Sequence, residues 1–212
     1  MKSKFKKGIF ISFEGIEGTG KTTQAGFLSE RLRDKGYDVF LTQEPGGTNI
    51  GNKIRKILLQ LEHKEMSYMT ELLLYNADRA QHLTEKILPA LNAGKIVITD
   101  RFADSTVVYQ GYGRGIDLSL IMSLDSIATG GIKPHLTILF DLDVETGLMR
   151  NKGLNKVDRL ELEDIEFHRR VRDGYLKIAK MEHKRIKIVD ASKPPEHIRE
   201  EVWKIINSNF RL

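Results

Sequence analysis

Cysteine is absent from the 212 residues, so neither disulfides nor a thiolate metal site can be invoked. No apolar run approaches the ~20 residues that a membrane-spanning helix needs. Nothing resembles a signal peptide: residues 1–8 (MKSKFKKG) are basic, but only a six-residue apolar strand follows, too short for an h-region. A cytoplasmic location and no membrane partner are therefore expected. Also missing are internal repeats, low-complexity tracts and any linker rich enough to divide the chain, which predicts one domain over residues 1–212. Charge of one sign does not dominate either. Thirty-four Lys and Arg are interleaved with 29 Asp and Glu, a net +5 that anionic small molecules explain as well as a polymer does. The densest basic cluster, Lys2/Lys4/Lys6/Lys7, is a terminal tail. No nucleic-acid partner is expected.

What is present is concentrated in residues 13–23, FEGIEGTGKTT. Gly15-x-x-x-x-Gly20-Lys21-Thr22 has the full spacing of a phosphate-binding P-loop. Gly15, Gly18 and Gly20 permit a backbone whose successive N–H groups point into one anion-binding nest. The helix that starts near Gly20 adds its positive end. Lys21 can reach the β- and γ-phosphates, and the Thr22 hydroxyl can ligate magnesium. Gly15, Ile16, Glu17, Gly18, Thr19, Gly20, Lys21, Thr22 and Thr23 are thus the expected contacts of a nucleoside triphosphate. The competing reading is a glycine-rich turn with a chance lysine. The flanks favour the P-loop, since residues 8–13 read as a buried strand and 22–35 as an amphipathic helix.

Four more strands are expected at 37–42, 95–100, 135–141 and 185–190. Helices are expected at 50–61, 66–91, 102–112, 118–129, from 144 to 151, 163–183 and 195–209. This alternation predicts an α/β fold, a five-stranded parallel sheet with helices on both faces. Ligands of such sheets sit at the carboxyl ends of the strands, which would gather the P-loop, residues 43–48, Asp100–Arg101 and Asp141–Asp143 around one cleft. Asp100, at a strand tip, can hold the magnesium shell; Arg101 beside it can stabilise a transferring phosphoryl group. Alternatively, the Asp–Arg pair only caps the next helix.

A P-loop alone leaves switch proteins, ATPases and kinases open. The further segments decide: EPGGT (44–48), LLxxADRAQH (73–82), TDRFxxSTxxYQGxGR (99–114) and FHRRVRxGY (167–175). With FEGxEGxGKTT they resemble the thymidylate kinase family in order and spacing, from Ile9 to about Ala191. The resemblance implies a P-loop kinase with a short lid at about 150–160 and a homodimer. It implies transfer of the γ-phosphoryl of ATP to thymidine 5′-monophosphate with Mg2+, in dTTP synthesis.

Carried over residue by residue, it implies that Tyr75 stacks on thymine, although Tyr75 could also be core. Arg79, one helical turn on, would donate to the thymine O4, an acceptor where cytosine has an amino group. Gln110 would offer a carbonyl to the ring N–H. Tyr109 would crowd the 2′ position and Glu17 bind the 3′-hydroxyl. Arg55 and Arg101 would hold the acceptor phosphate, with Glu44, Pro45, Ser105 and Thr106 also lining the acceptor site. Arg150 would lie against adenine. The catalytic set so implied is Lys21, Asp100, Arg101, Lys152 and Arg159, with Thr22 and Asp100 on the metal.

Two departures stand out. Gln43 stands where many members have arginine, and Gly18 where some carry one in the P-loop. The chain thus resembles the members that draw extra positive charge from the lid, where this sequence offers Lys152, Lys156 and Arg159, with Leu154 near an expected arginine. Lysine supplies charge but not a planar fork. Competing readings are a kinase for another nucleoside monophosphate or a nucleoside, a P-loop switch, and a nucleic-acid-bound ATPase. No Asp-x-x-Gly switch is found for the second of these.

Overall fold

The computed structural model describes residues 8–152 and 158–212, with the backbone alone at Lys152. Apolar runs of five or six residues form the strands β1 (Ile9–Glu14), β2 (Val39–Gln43), β3 (Ile96–Asp100), β4 (Leu136–Asp141) and β5 (Ile186–Asp190). They pair in parallel in the order β2-β3-β1-β4-β5. The strands fall within two residues of their expected positions. Every strand ends on a polar residue, so Glu14, Gln43, Asp100, Asp141 and Asp190 share the carboxyl edge. The chain leaves central β1 for β2, returns to β3, then crosses to β4; β1 therefore lies at the point where the winding reverses, where ligands of open sheets bind.

Both faces of the sheet are covered, which is why β1 is buried along its whole length. Ile9, Ile11 and Phe13 pack with Ala25, Leu28 and Leu32 of α1 (Lys21–Asp34) and Ile198, Val202 and Ile206 of α9 (Pro195–Phe210). On the other face Phe10 meets Leu83, Ile87 and Phe102. Beside it Leu139 meets Val108, Tyr109 and, from α8 (Ile165–Met181), Phe167, Val171 and Tyr175. The remaining helices are α2 (Asn49–Leu59), α3 (Tyr68–His82), α4 (Leu88–Asn92), α5 (Ala103–Thr106), α6 (Leu118–Thr129) and α7 (Val144–Lys152). Side-chain oxygens close their N-termini where the sequence supplies them: Thr48 accepts from Gly51, Ser67 from Thr70 and Asp164 from Phe167.

Two expected helices are not uniform. The one expected at 66–91 contains a π-helical turn, Leu83–Ile87, just before α4. Pro89 has no N–H for the ladder and its ring would strike the carbonyl four residues back, and widening the preceding turn relieves both. The one expected at 102–112 becomes short α5 followed by a second π-helical stretch, Val107–Gly113. This stretch packs along α8 and presents Tyr109 and Gln110 to the interior. No helix among the described residues is long and apolar enough to cross a membrane.

The contact between α8 and the Val107–Gly113 stretch is close because Gly174 has no side chain. A Cβ there would come within 2.8 Å of the Tyr112 ring. Gly174→Ala should cost about 1–3 kcal/mol by overpacking. Thermal unfolding should register this as a fall of about 2–4 °C per kcal/mol. An unchanged melting temperature would show that the two segments are not pressed together.

Candidate active site

The loop between β1 and α1 is built by backbone geometry. Gly15, Gly18 and Gly20 adopt φ of 142°, 74° and 82°. Gly20 is the N-cap of α1 and no side chain caps that helix end, so its first N–H groups are left for a ligand. At Gly18 a Cβ would stand 2.1 Å from the Gly147 carbonyl oxygen, so glycine there lets α7 close onto the loop apex. An arginine at that position would require this contact to open. The Thr19 hydroxyl donates to the Ile16 carbonyl (2.9 Å), and Lys21 Nζ lies across the loop, donating to the same carbonyl at 2.7 Å and to Thr19 at 3.2 Å.

Around the loop the carboxyl edge supplies the charges. Thr22 donates its hydroxyl proton to the Asp100 carboxylate at 2.5 Å, which unites the two expected metal-binding residues. Their oxygens form the hard donor set that magnesium prefers. Arg101 has φ of 72°, a left-handed conformation uncommon outside glycine. That turn anchors its N–H on the Phe13 carbonyl (2.9 Å) and swings the guanidinium back over the P-loop. There Nη1 donates to the Gly15 carbonyl (2.9 Å), and Nη2 to both Glu17 carboxylate oxygens at 2.6 Å. Tyr109 donates its hydroxyl proton to the same carboxylate at 2.8 Å. Burial by itself would raise Glu17, but Arg101, with Lys21 and the Tyr109 hydrogen bond, holds it down at about 2.

Next to this pair opens a cleft of about 520 Å³. All eleven expected acceptor-site residues line it: Glu17, Glu44, Pro45, Arg55, Tyr75, Arg79, Arg101, Ser105, Thr106, Tyr109 and Gln110. Arg55 donates to the Pro45 carbonyl at 2.7 Å. Arg79 is only 1% exposed, which excludes a surface helix charge. Its Nε donates to Glu44 at 3.0 Å, and Nη1 lies 3.5 Å from Asp125. Ser105 donates to Glu14 at 2.6 Å and lies 2.8 Å from the Tyr175 hydroxyl.

Other expected residues lie outside the cleft. Arg150, an exposed residue of α7, donates to the Ala191 carbonyl (3.0 Å) just beyond β5 and does not line the cleft. The Lys152 side chain, Leu154 and Lys156 lie outside the described residues. Arg159 differs from a free lid cation. Its Nε donates to the Leu58 carbonyl (3.1 Å) and its Nη2 to the carboxylate of Glu71, neither residue lining the cleft. The reason is Glu71 itself, a fully buried carboxylate that is tolerable only when paired.

Sequence reasoning missed several other participants. Leu59, Phe102, Asp158 and Leu160 also line the cleft. Burial and the charge of Glu17 push Asp158 up. Glu14, the residue after the expected strand at 8–13, is another. It accepts from Phe102 N–H (2.7 Å), Ser105 and the Tyr175 hydroxyl (3.0 Å). Burial, with the charge of Asp104, pushes it up to about 7. An acid at the end of a fully buried strand was the one available signal.

A P-loop lysine and threonine at the centre of a parallel sheet, beside a cleft lined by the expected acceptor residues, define a P-loop kinase. The thymidylate kinase family model matches residues 13–202. The chain belongs to the thymidylate kinase family. It is 51% identical over 201 residues to a thymidylate kinase of Maridesulfovibrio salexigens, covering 92% of this chain and 93% of that one. It is 50% identical over 195 residues to that of a Geobacillus species, covering 91% and 92%. The crystal structure of thymidylate kinase from Ehrlichia chaffeensis superposes with a TM-score of 0.78 at 37% identity, over 94% of this chain and 99% of that one.

Lys21 provides a direct test of the phosphate site. Burial, then the neighbouring Arg101 charge, pull its ammonium down to about 8, against Glu17, Asp100 and Glu14. Only the charged form holds phosphate, and phosphate raises the pKa again. The dissociation constant of a non-hydrolysable ATP analogue, measured by calorimetry, should therefore be level below pH 8. Above that it should rise by roughly tenfold per pH unit until the bound-state pKa is reached. A constant affinity up to pH 9.5 would contradict this.

Proposed function

We infer that the enzyme transfers the γ-phosphoryl group of ATP to thymidine 5′-monophosphate, giving the diphosphate and ADP for dTTP synthesis. The observation that carries this reading is the single cleft in which the acceptor residues meet the P-loop through the Arg101–Glu17 pair. The chain works as one kinase domain over residues 1–212, with its lid at about 150–160. Tyr75 stacks on the thymine ring and the Gln110 carbonyl accepts its N–H. Arg79, oriented by Glu44, serves the O4 edge. Tyr109 and Glu17 face the sugar, which disfavours a 2′-hydroxyl. Arg55 and Arg101 hold the acceptor phosphate. The ion pair with Glu17 fixes the direction of the Arg101 guanidinium, which orients it for substrate.

On the donor side the P-loop N–H groups and Lys21 hold the β- and γ-phosphates, and Arg150 lies along the adenine. Thr22 and Asp100 would hold Mg2+, which supplies charge neutralisation of the phosphates when bound. Because phosphoryl transfer is mainly positioning and charge stabilisation, these residues supply most of the rate. The substrates, free nucleotides, belong to the cytoplasm, where we place the enzyme.

A coupled assay of ADP release against a panel of monophosphates tests the assignment. Thymidine monophosphate should lead and deoxyuridine monophosphate follow, because one methyl in an apolar pocket separates substrates by only about 10- to 200-fold. Deoxycytidine monophosphate should be nearly inert. A preference for a cytidine or purine monophosphate would overturn the reading.

The enzyme forms a homodimer through the face made by α2, α3 and α6. Here α3 packs on both neighbours, and Ile57, Leu73 and Ile127 remain 42%, 48% and 80% exposed. Singly exposed apolar residues are ordinary, but a row of them across three adjacent helices marks an interface. Sedimentation should give twice the chain mass for the wild type and the chain mass for Leu73→Glu. A monomeric wild type would refute it.

A further inference from the structure

We propose that Glu71 is a positioning residue that fixes the amide of Gln110 and thereby sets the choice of thymine over cytosine. The inference rests on the acceptor assignment above. Glu71, in the first turn of α3, is fully buried and does not line the cleft. Its Oε1 accepts from Gln110 Nε2 at 2.8 Å and from Arg114 Nε at 3.2 Å. Its Oε2 accepts from Arg114 Nη2 at 3.2 Å and from Arg159 Nη2. Arg114 is itself fixed, sandwiched between the rings of Tyr68 and Phe167 and paired with Glu163 at 2.7 Å.

The chemistry then leaves Gln110 one orientation. Burial would raise the Glu71 carboxyl, but Arg114, Gln110 and Arg159 together hold it below its ordinary range, so it stays ionised. An ionised carboxylate only accepts hydrogen bonds, so only the NH2 side of Gln110 can face it. The carbonyl oxygen is the group left to the cleft. It matches the N3–H donor of thymine and opposes the N3 acceptor of cytosine. The two arginines keep the acid ionised, the acid orients the amide, and the amide reads the base.

Glu71→Gln tests this without changing shape. A neutral amide at 71 has one acceptor, which the two arginines claim, since they have only donors. Its NH2 then faces Gln110, whose amide turns over and offers NH2 to the ring. The ratio of kcat/KM for thymidine over deoxycytidine monophosphate should fall by about tenfold or more, the worth of one base-edge contact. The loss should fall on KM for thymidine monophosphate, with kcat at saturation much less affected. The double variant Glu71→Gln/Gln110→Glu, whose carboxylate at position 110 can present only oxygen, should recover most of the preference. A residue that merely neutralises two arginines would lower both substrates alike and gain nothing from the second substitution; either result overturns the proposal. If Glu71→Gln does not fold, Glu71→Asp keeps the charge but draws it back from Gln110. It too should lower the ratio, and an unchanged ratio would be equally fatal. A wild type without thymidine preference would refute the acceptor assignment; a preference that survives these variants refutes the role of Glu71 alone.

Discussion

The bidentate contact between Arg101 and Glu17 joins two halves of the molecule that the chain keeps 84 residues apart. Glu17 belongs to the P-loop and Arg101 to the exit of β3, so the pair closes the carboxyl edge over the middle of the sheet. Everything the site requires runs through it. The same guanidinium touches the Gly15 carbonyl, Ser105, Tyr109 and Tyr175, and the same carboxylate orients Tyr109. Arg101 adopts a left-handed backbone to reach this position, a conformation that survives only where the surroundings impose it. The net worth of such a partly buried pair is modest, but loss of one partner leaves an uncompensated charge and costs about 3–5 kcal/mol. The pair thus specifies geometry more than it supplies stability.

Buried charge is the common device of the acceptor side. Glu44 takes Arg79 and His82, Glu71 takes Arg114 and Arg159, and Asp104 takes Arg185. Glu44 and Glu71 each limit the rotamers of a residue that lines the cleft, Arg79 and Gln110, as rigid recognition of a small polar ligand demands. Glu14 and Glu17, three residues apart, show how far environment divides like groups. Burial and Asp104 lift Glu14 to about 7, whereas Arg101 and Lys21 hold Glu17 near 2. One is oriented by hydroxyls within the core; the other carries its charge at the cleft wall.

The π-helical stretch Val107–Gly113 connects fold and site. Its wide turn packs against α8, where Gly174 leaves room for Tyr112, and at the same time aims Tyr109 toward Glu17 and Gln110 toward Glu71. Such turns are rare and often occur at functional sites. Here one irregular segment supplies two side chains of the cleft wall.

Local pattern by itself determined the P-loop, the parallel strands and their order along the chain, because glycine spacing and buried apolar runs act over a few residues. The resemblance of its motifs named eleven residues for an acceptor site, and all of them line one cleft. What a residue pairs with was decided elsewhere. Arg159 reads as a lid cation from its position, yet it lies on Glu71, 88 residues away, because a buried carboxylate recruits whatever cation the packing brings near. Glu14 follows an expected strand and Glu71 falls inside an expected helix, and neither position reveals which groups the carboxylate meets. Their burial is made by contacts with Tyr175, Arg114 and Gln110, which only the closed tertiary structure assembles. The widened turns also escaped the periodic signal, since a single extra residue per turn is decided by Pro89 and by packing against α8 rather than by propensity.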